Sequence, residues 1–378
     1  MNLFLKNYKI VLLISIFFIS CNTQQEVTVS KTTNNKVSTP TKKVKNIIFL
    51  IGDGMGLSEV SASQFYNTKT SNFERFPVIG LSKTSSASDL ITDSAAGATA
   101  FASGIKTYNG ALGVNTDTLA VKTIVEEISK IGISTGIIST SSIVHATPAA
   151  FYTHTKKRSM YEDIAAQLVT SDIDFFAGGG IKYFNDRKDK RDLILELEQK
   201  GFSINTESLP KNTKPDFNKK QGYLLASNGM PKMLEGRGDF LTNATKLALE
   251  ILSSNEEGFF LMIEGSQIDW GGHDNDAEYL ISELIDFDNT IGVALDFAEL
   301  DGETLVIVTA DHETGGFTLA QDNGDYNKIK PVFSTGGHSA TMVPVFAKGP
   351  NANDFGGIYE NTSIYNKMKS LFFENNNN

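Results

Sequence analysis

The sequence predicts an α/β fold, a three-layer sandwich in which a central, mostly parallel sheet carries helices on both faces. Three observations predict it. Unbroken apolar runs such as Asn46-Ile47-Ile48-Phe49-Leu50-Ile51 recur along the chain, the pattern of strands buried on both faces. Between them lie segments whose apolar residues recur at steps of three and four, as helices covering a sheet require. The 378 residues are 40% hydrophobic and 21% charged, with 32 glycines and 9 prolines, which supplies a sizeable core with many tight turns and excludes disordered and fibrous classes.

Taken in order, the chain opens with Lys6 and Lys9 ahead of an apolar run from Ile10 to Ile19. That run is too short for the roughly 20 residues of a spanning helix but has the length of a signal-peptide core. It ends in Phe18-Ile19-Ser20-Cys21, which resembles a bacterial lipobox with Cys21 as the acylated first mature residue. Residues 1–21 are therefore expected to be a lipoprotein-type signal peptide, and an ordinary secretory signal with an incidental cysteine is the alternative. Cys21 is the single cysteine, so no intrachain disulfide forms. Residues 22–45 are Thr, Asn, Ser, Gln and Lys without apolar periodicity and read as a flexible polar tether. Residues 46–375 are expected to form one catalytic domain.

Within that domain the strong strand candidates are 46–51, 259–263 and 304–308, with weaker ones at 133–139, 174–177 and 342–347. Leu280, Leu284, Phe287, Ile291, Leu295 and Ala298 make one face of an amphipathic helix, and 121–130, 161–168, 191–200 and 241–252 also read as helices. The stretch around 183–219 is rich in charge, Asn and Pro and is expected to be a surface excursion.

Each strong strand leads into chemistry. Ile51 is followed by Gly52-Asp53-Gly54-Met55-Gly56, Ile263 by Glu264, and Val308 leads through Thr309-Ala310 to Asp311-His312. Ligands of open α/β sheets bind beyond the carboxyl ends of the strands, so three strands delivering acids and a histidine there point to one convergent polar site. The glycine loop lacks the spacing of a dinucleotide fingerprint and sets a carboxylate where a pyrophosphate would lie, which favours a cation. Asp269 and His273 are four apart, on one side of a helical turn if the segment is helical, and His338 follows Thr335-Gly336-Gly337. Each such pair alone is as compatible with a surface ion pair or a structural histidine.

Thr92-Asp93-Ser94-Ala95-Ala96-Gly97 puts a hydroxyl near the start of a run of small residues. At a helix N-terminus Ser94 would sit beside unpaired backbone N–H groups suited to phosphate oxygens. A serine needs a base or a metal to ionise it, and neither an adjacent histidine nor a Gly-x-Ser-x-Gly elbow is present, so metal activation is the remaining route. His145-Ala146-Thr147-Pro148 and Lys156-Lys157-Arg158 complete the set, an arginine near metals being able to grip phosphate with two parallel hydrogen bonds.

In this order, from about Asn46 to beyond Phe346, these segments resemble the alkaline phosphatase family, and Lys106-Thr107-Tyr108-Asn109-Gly110 within 92–113 is especially diagnostic. The resemblance implies a metal-dependent phosphomonoesterase acting through a phosphoserine on Ser94, with Arg158 binding phosphate. It implies two Zn²⁺ and one Mg²⁺: Asp269, His273 and His338 on the first zinc; Asp53, Asp311 and His312 on the second; Asp53, Thr147 and Glu264 on magnesium. His145 and Trp270 stand beside the site where some bacterial members have Asp and Lys, a pairing that related bacterial enzymes share. The family also implies a homodimer, and the N-terminus an exported protein, in the periplasm or at the cell surface, held to a membrane by a lipid anchor.

The net charge of −10 argues against a nucleic-acid-binding surface, which needs clustered Lys and Arg. Bound cations can invert the field locally, so an acidic chain can still take a phosphate dianion. A phosphodiesterase or sulfatase on the same scaffold, and a lipid-anchored phosphate- or metal-binding protein without turnover, are the competing functions.

Overall fold

The computed structural model describes residues 43–210 and 216–373. The expected signal peptide, Cys21 and all but the last residues of the expected tether lie outside the described residues. The strands are β1 (Asn46–Gly52), β2 (Val78–Lys83), β3 (Ser134–Ser142), β4 (Phe175–Gly179), β5 (Phe202–Asn205), β6 (Lys220–Leu224), β7 (Phe259–Gly265), β8 (Thr304–Thr309), β9 (Glu313–Thr314), β10 (Thr318–Asp322), β11 (Asp325–Val332), β12 (His338–Ser339), β13 (Val343–Lys348) and β14 (Gly357–Glu360).

Among the described residues ten strands form one sheet in the order β14-β2-β13-β8-β1-β7-β3-β4-β6-β5. β13 lies antiparallel to both β8 and β2, and the other pairings in this sheet are parallel. The apolar run of β1 is explained by its neighbours: Ile47, Phe49 and Ile51 enter the core on one face, Ile48 and Leu50 the core on the other. The first face is covered by the helices Ser94–Ser103, Tyr161–Leu168 and Thr362–Phe373, where Phe101 meets Phe49 edge-on with ring centroids 5.5 Å apart. The second is covered by Leu57–Tyr66, Phe240–Leu252 and Ala277–Asp301, the last burying the expected stripe from Leu280 to Ala298.

The helix expected over 121–130 is shorter, Ile124–Ile128. Thr123 and Glu126 form a capping box that fixes its start, and Gly132 in the left-handed region closes the short 3₁₀ turn behind it. The stretch 183–219 is only partly the surface excursion its composition implies. It contributes the helix Leu193–Gln199 and the sheet-edge strand β5, and Phe184, Leu193, Leu197 and Phe202 are buried in the first core. An edge strand buries one face, so its polar alternate residues disguise it. β2 and β14, on the opposite flank, escape the sequence reading for the same reason: both are short and half-exposed.

The order of the central strands is what assembles a site. β8, β1, β7 and β3 are consecutive and parallel, so Asp311-His312, Asp53, Glu264 and Ser139 to Ser141 all leave the same edge of the sheet within neighbouring strand spacings.

Candidate active site

Residues 267–273, where the paired glycines leave the sequence undecided, are helical, and Asp269 and His273 project from one side of that turn. Asp269 Oδ1 lies 3.4 Å from His273 Nε2 and 3.5 Å from His338 Nε2. The two Nε2 atoms are 3.1 Å apart. Each ring is oriented from behind: His273 Nδ1 is 2.8 Å from the Gly336 carbonyl, and His338 Nδ1 is 2.8 Å from the Thr92 carbonyl. A carbonyl only accepts, so both Nδ1 atoms carry a proton, which turns both Nε2 atoms toward each other and toward Asp269. His312 is set in the same way: Thr314 donates to Asp269 Oδ1 at 2.6 Å, which leaves its oxygen to accept from His312 Nδ1 at 3.2 Å. His312 stacks on His338 at 3.5 Å, and its Nε2 faces Asp53 Oδ1 at 3.4 Å and Asp311 Oδ2 at 3.3 Å.

Imidazole nitrogens and carboxylate oxygens converging at this spacing form a nitrogen-and-oxygen donor set of the kind that holds a divalent cation. The hydrogen-bond accounting points the same way. Both Asp53 oxygens, Asp311 Oδ2, Glu264 Oε1, Thr147 Oγ1 and His145 Nδ1 are buried without a hydrogen-bond partner. Candidate metal-holding groups are Asp269, His273 and His338; Asp53, Asp269 and His312; and Asp53, His145 and Glu264. The first matches the set expected for one zinc. In the second, Asp269 reaches into the neighbouring position, with Asp311 in contact through His312. In the third, His145, expected beside the site, stands among the ligands, while Thr147 brings its unpartnered hydroxyl.

Electrostatics without cations are unfavourable. Burial, then the Asp311, Asp269 and Glu264 carboxylates, pushes Asp53 well above the ordinary carboxylate range. Burial pushes Asp311 up to about 6 with the help of Asp269, and Glu264 up to about 7 against the opposing pull of the Ser139 and Ser266 hydroxyls. Burial lowers His312 and His145 to about 3, aided by His338 and Arg158 respectively.

Ser94 is the first residue of the helix Ser94–Ser103, and its Oγ lies 3.3 Å from His312 Nε2. The helix can approach because Gly97 rests on Asp311: a Cβ there would stand 3.0 Å from the Asp311 Cβ. Asp93 caps the helix by accepting from Ala96 N at 3.0 Å. Its other carboxylate oxygen holds Arg158 Nη1 at 3.1 Å, while Arg158 Nη2 is 3.3 Å from His145 Nε2. Trp270 packs edge-on to His145, with centroids 6.0 Å apart.

Among the described residues the structure brings Ser94, Arg158, the two zinc sets, Glu264, His145 and Trp270 around one place and leaves the Thr147 hydroxyl there without a partner, while Cys21 lies outside the described residues. The structure adds Asp93, Thr314 and the serines around Glu264. Asp93 was detectable, being a cap-type residue directly before Ser94. Thr314 and the serines carried no local signal.

The sequence profile of the alkaline phosphatase family matches residues 44–330. Alkaline phosphatase 3 of Bacillus subtilis (strain 168) is 34% identical, with 87% of this chain and 89% of that protein covered. The solved alkaline phosphatase from the Antarctic bacterium TAB5 matches with a TM-score of 0.85 at 54% identity, covering 88% of this chain and 99% of that one. A histidine-to-aspartate variant of it with Mg bound in the M3 site matches at 0.84 and 53%, over the same shares. Profile, relatives and the metal-holding clusters at the strand ends agree that this chain belongs to the alkaline phosphatase family and is a metal-dependent hydrolase of phosphate monoesters.

Proposed function

We propose that Ser94 is the nucleophile and is phosphorylated during turnover. The observation that carries this is its place: a buried hydroxyl on the first residue of a helix, 3.3 Å from His312 Nε2 and beside the carboxylates that crowd that ring. Asp269, His273 and His338 would hold one zinc, Asp53, Asp311 and His312 a second, and Asp53, Thr147 and Glu264 a magnesium. Bound there, divalent cations supply the Lewis acidity that lowers the pKa of the serine hydroxyl and of water and neutralises the departing alkoxide. The rest falls to the chain. Arg158, aimed by Asp93, grips two phosphate oxygens in parallel, and the N–H groups of the first helical turn left over by the Asp93 cap add positive potential. Ser94 Oγ attacks phosphorus as the ester oxygen leaves, and water then releases phosphate from Ser94 by the same in-line displacement.

Outside the described residues, we propose that Cys21 carries a lipid that tethers the exported enzyme to a membrane, and that the enzyme works as a homodimer. Among the described residues no helix is long and apolar enough to cross a membrane.

Ser94→Ala lowers kcat on p-nitrophenyl phosphate by at least about 10³-fold with its metals still bound, because the hydroxyl acts within a unit that fails when one member is removed. Near-normal turnover, or preference for a diester or sulfate ester over the monoester, overturns the assignment.

Metal loading is also coupled to protons. Burial raises Asp311 to about 6 and Glu264 to about 7, so near pH 6 they retain protons that cations must displace, whereas His312 and His145, lowered to about 3, are already neutral and release none. Calorimetry in buffers of different ionisation heat is expected to show more protons released on loading at pH 6 than at pH 9. Equal release at both values contradicts the ligand set.

Cys21→Ser moves the protein from the membrane to the soluble fraction without altering its dimeric mass in sedimentation. An unchanged membrane fraction removes the anchor, and a monomeric mass removes the dimer.

A further inference from the structure

Glu264 is buried, and its two oxygens have opposite surroundings. Oε1 has no hydrogen-bond partner. Oε2 accepts from Ser139 Oγ at 2.5 Å, from Ser266 Oγ at 2.6 Å and, more distantly, lies 3.4 Å from Ser141 Oγ. The protons can be followed. Ser139 and Ser266 each have one hydroxyl hydrogen and spend it on Oε2. Their own oxygens accept from Ser141 N, at 2.9 Å and 3.0 Å, and Ser141 Oγ can donate to Ser139 Oγ at 2.7 Å. Ser266 is itself fixed by its N–H, which donates to Thr140 Oγ1 at 2.9 Å. The result is a closed network of short hydrogen bonds on one oxygen of the carboxylate, built from the end of β3 and the residues after β7.

We propose that Ser139 and Ser266 are positioning residues that saturate Oε2 and so restrict Glu264 to offering a cation one oxygen, Oε1, which makes the third site selective for Mg²⁺ over Ca²⁺. The chemistry follows from coordination. Mg²⁺ is small, requires an octahedron and takes one oxygen per carboxylate with waters completing its shell, whereas Ca²⁺ takes six to eight oxygens and gains from bidentate carboxylates. Hydrogen bonds behind a ligand also fix its rotamer, and their loss typically weakens metal binding by about 10- to 100-fold. Of the groups at this position Glu264 is the one these serines bond, since both Asp53 oxygens, His145 Nδ1 and Thr147 Oγ1 have no hydrogen-bond partner.

The inference rests on Glu264 being a ligand of the third cation, and the experiment separates the two. Zinc-loaded wild type, Ser266→Ala, Ser139→Ala and Glu264→Gln are titrated with Mg²⁺ and with Ca²⁺ by calorimetry, with thermal unfolding confirming that each is folded. Ser141→Ala, which removes a 3.4 Å contact to Glu264 together with the bonds of that hydroxyl to Ser139 Oγ and the Ser142 carbonyl but leaves both short bonds to Oε2 in place, is the comparator. The expected result is Mg²⁺ binding weakened at least about tenfold in Ser266→Ala and Ser139→Ala, with the Mg²⁺-to-Ca²⁺ preference reduced, and a smaller change in Ser141→Ala. If Glu264→Gln abolishes Mg²⁺ binding while both serine variants keep wild-type affinity and preference, the serine proposal is overturned and the ligand assignment stands. If Glu264→Gln binds Mg²⁺ as the wild type does, the ligand assignment falls and the proposal with it.

Discussion

Like charge concentrated out of water governs this structure. Asp53, Asp311 and Glu264 are fully buried and Asp269 nearly so, and the Nε2 atoms of three imidazoles are turned toward the same region by acceptors placed behind the rings. Arg158 is paired to Asp93 and offsets the Asp53 charge only in part. A protein interior tolerates such a cluster only if the carboxylates keep their protons or cations replace them. The unpartnered oxygens of Asp53, Asp311 and Glu264 mark where replacement occurs. Much of the surrounding architecture serves to hold these repelling groups in register.

Two close backbone approaches show how. Gly54, at φ +73, leaves room for Asp269 and Thr314: a Cβ there would stand 2.8 Å from the Asp269 Cα and 2.7 Å from Thr314 Oγ1. Gly97 lets the Ser94 helix lie directly on Asp311. Larger side chains at either position would separate the nucleophile from the ligands, so the small-residue run after Asp93 is functional packing and not only a helix-sheet contact.

The central strands and most site residues were legible in the sequence for one reason: fully buried parallel strands write continuous apolar runs, and a site at their ends is written immediately after each run. Asp53, Glu264, Asp311 and His312 follow that rule. Ser94, Arg158, His338 and the Asp269/His273 pair needed the family resemblance, since each alone has an ordinary structural reading. Contacts made across long stretches of chain were not legible. Ser139 and Glu264 are 125 positions apart, and nothing near either residue names the other. The edge strands β5 and β14, and β2 next to β14, were hidden because a half-exposed strand mixes polar and apolar residues, and the stretch around 183–219 read as surface although its Leu193 and Leu197 complete a core.

The most direct test is anomalous diffraction at the zinc edge from crystals of the zinc-loaded enzyme. The account predicts two peaks about 4 Å apart. One should be bounded by Asp269, His273 and His338, and the other by Asp53, Asp311 and His312, with Ser94 Oγ facing the latter. Zinc bound elsewhere, or a Ser94 hydroxyl turned away from both peaks, would contradict it.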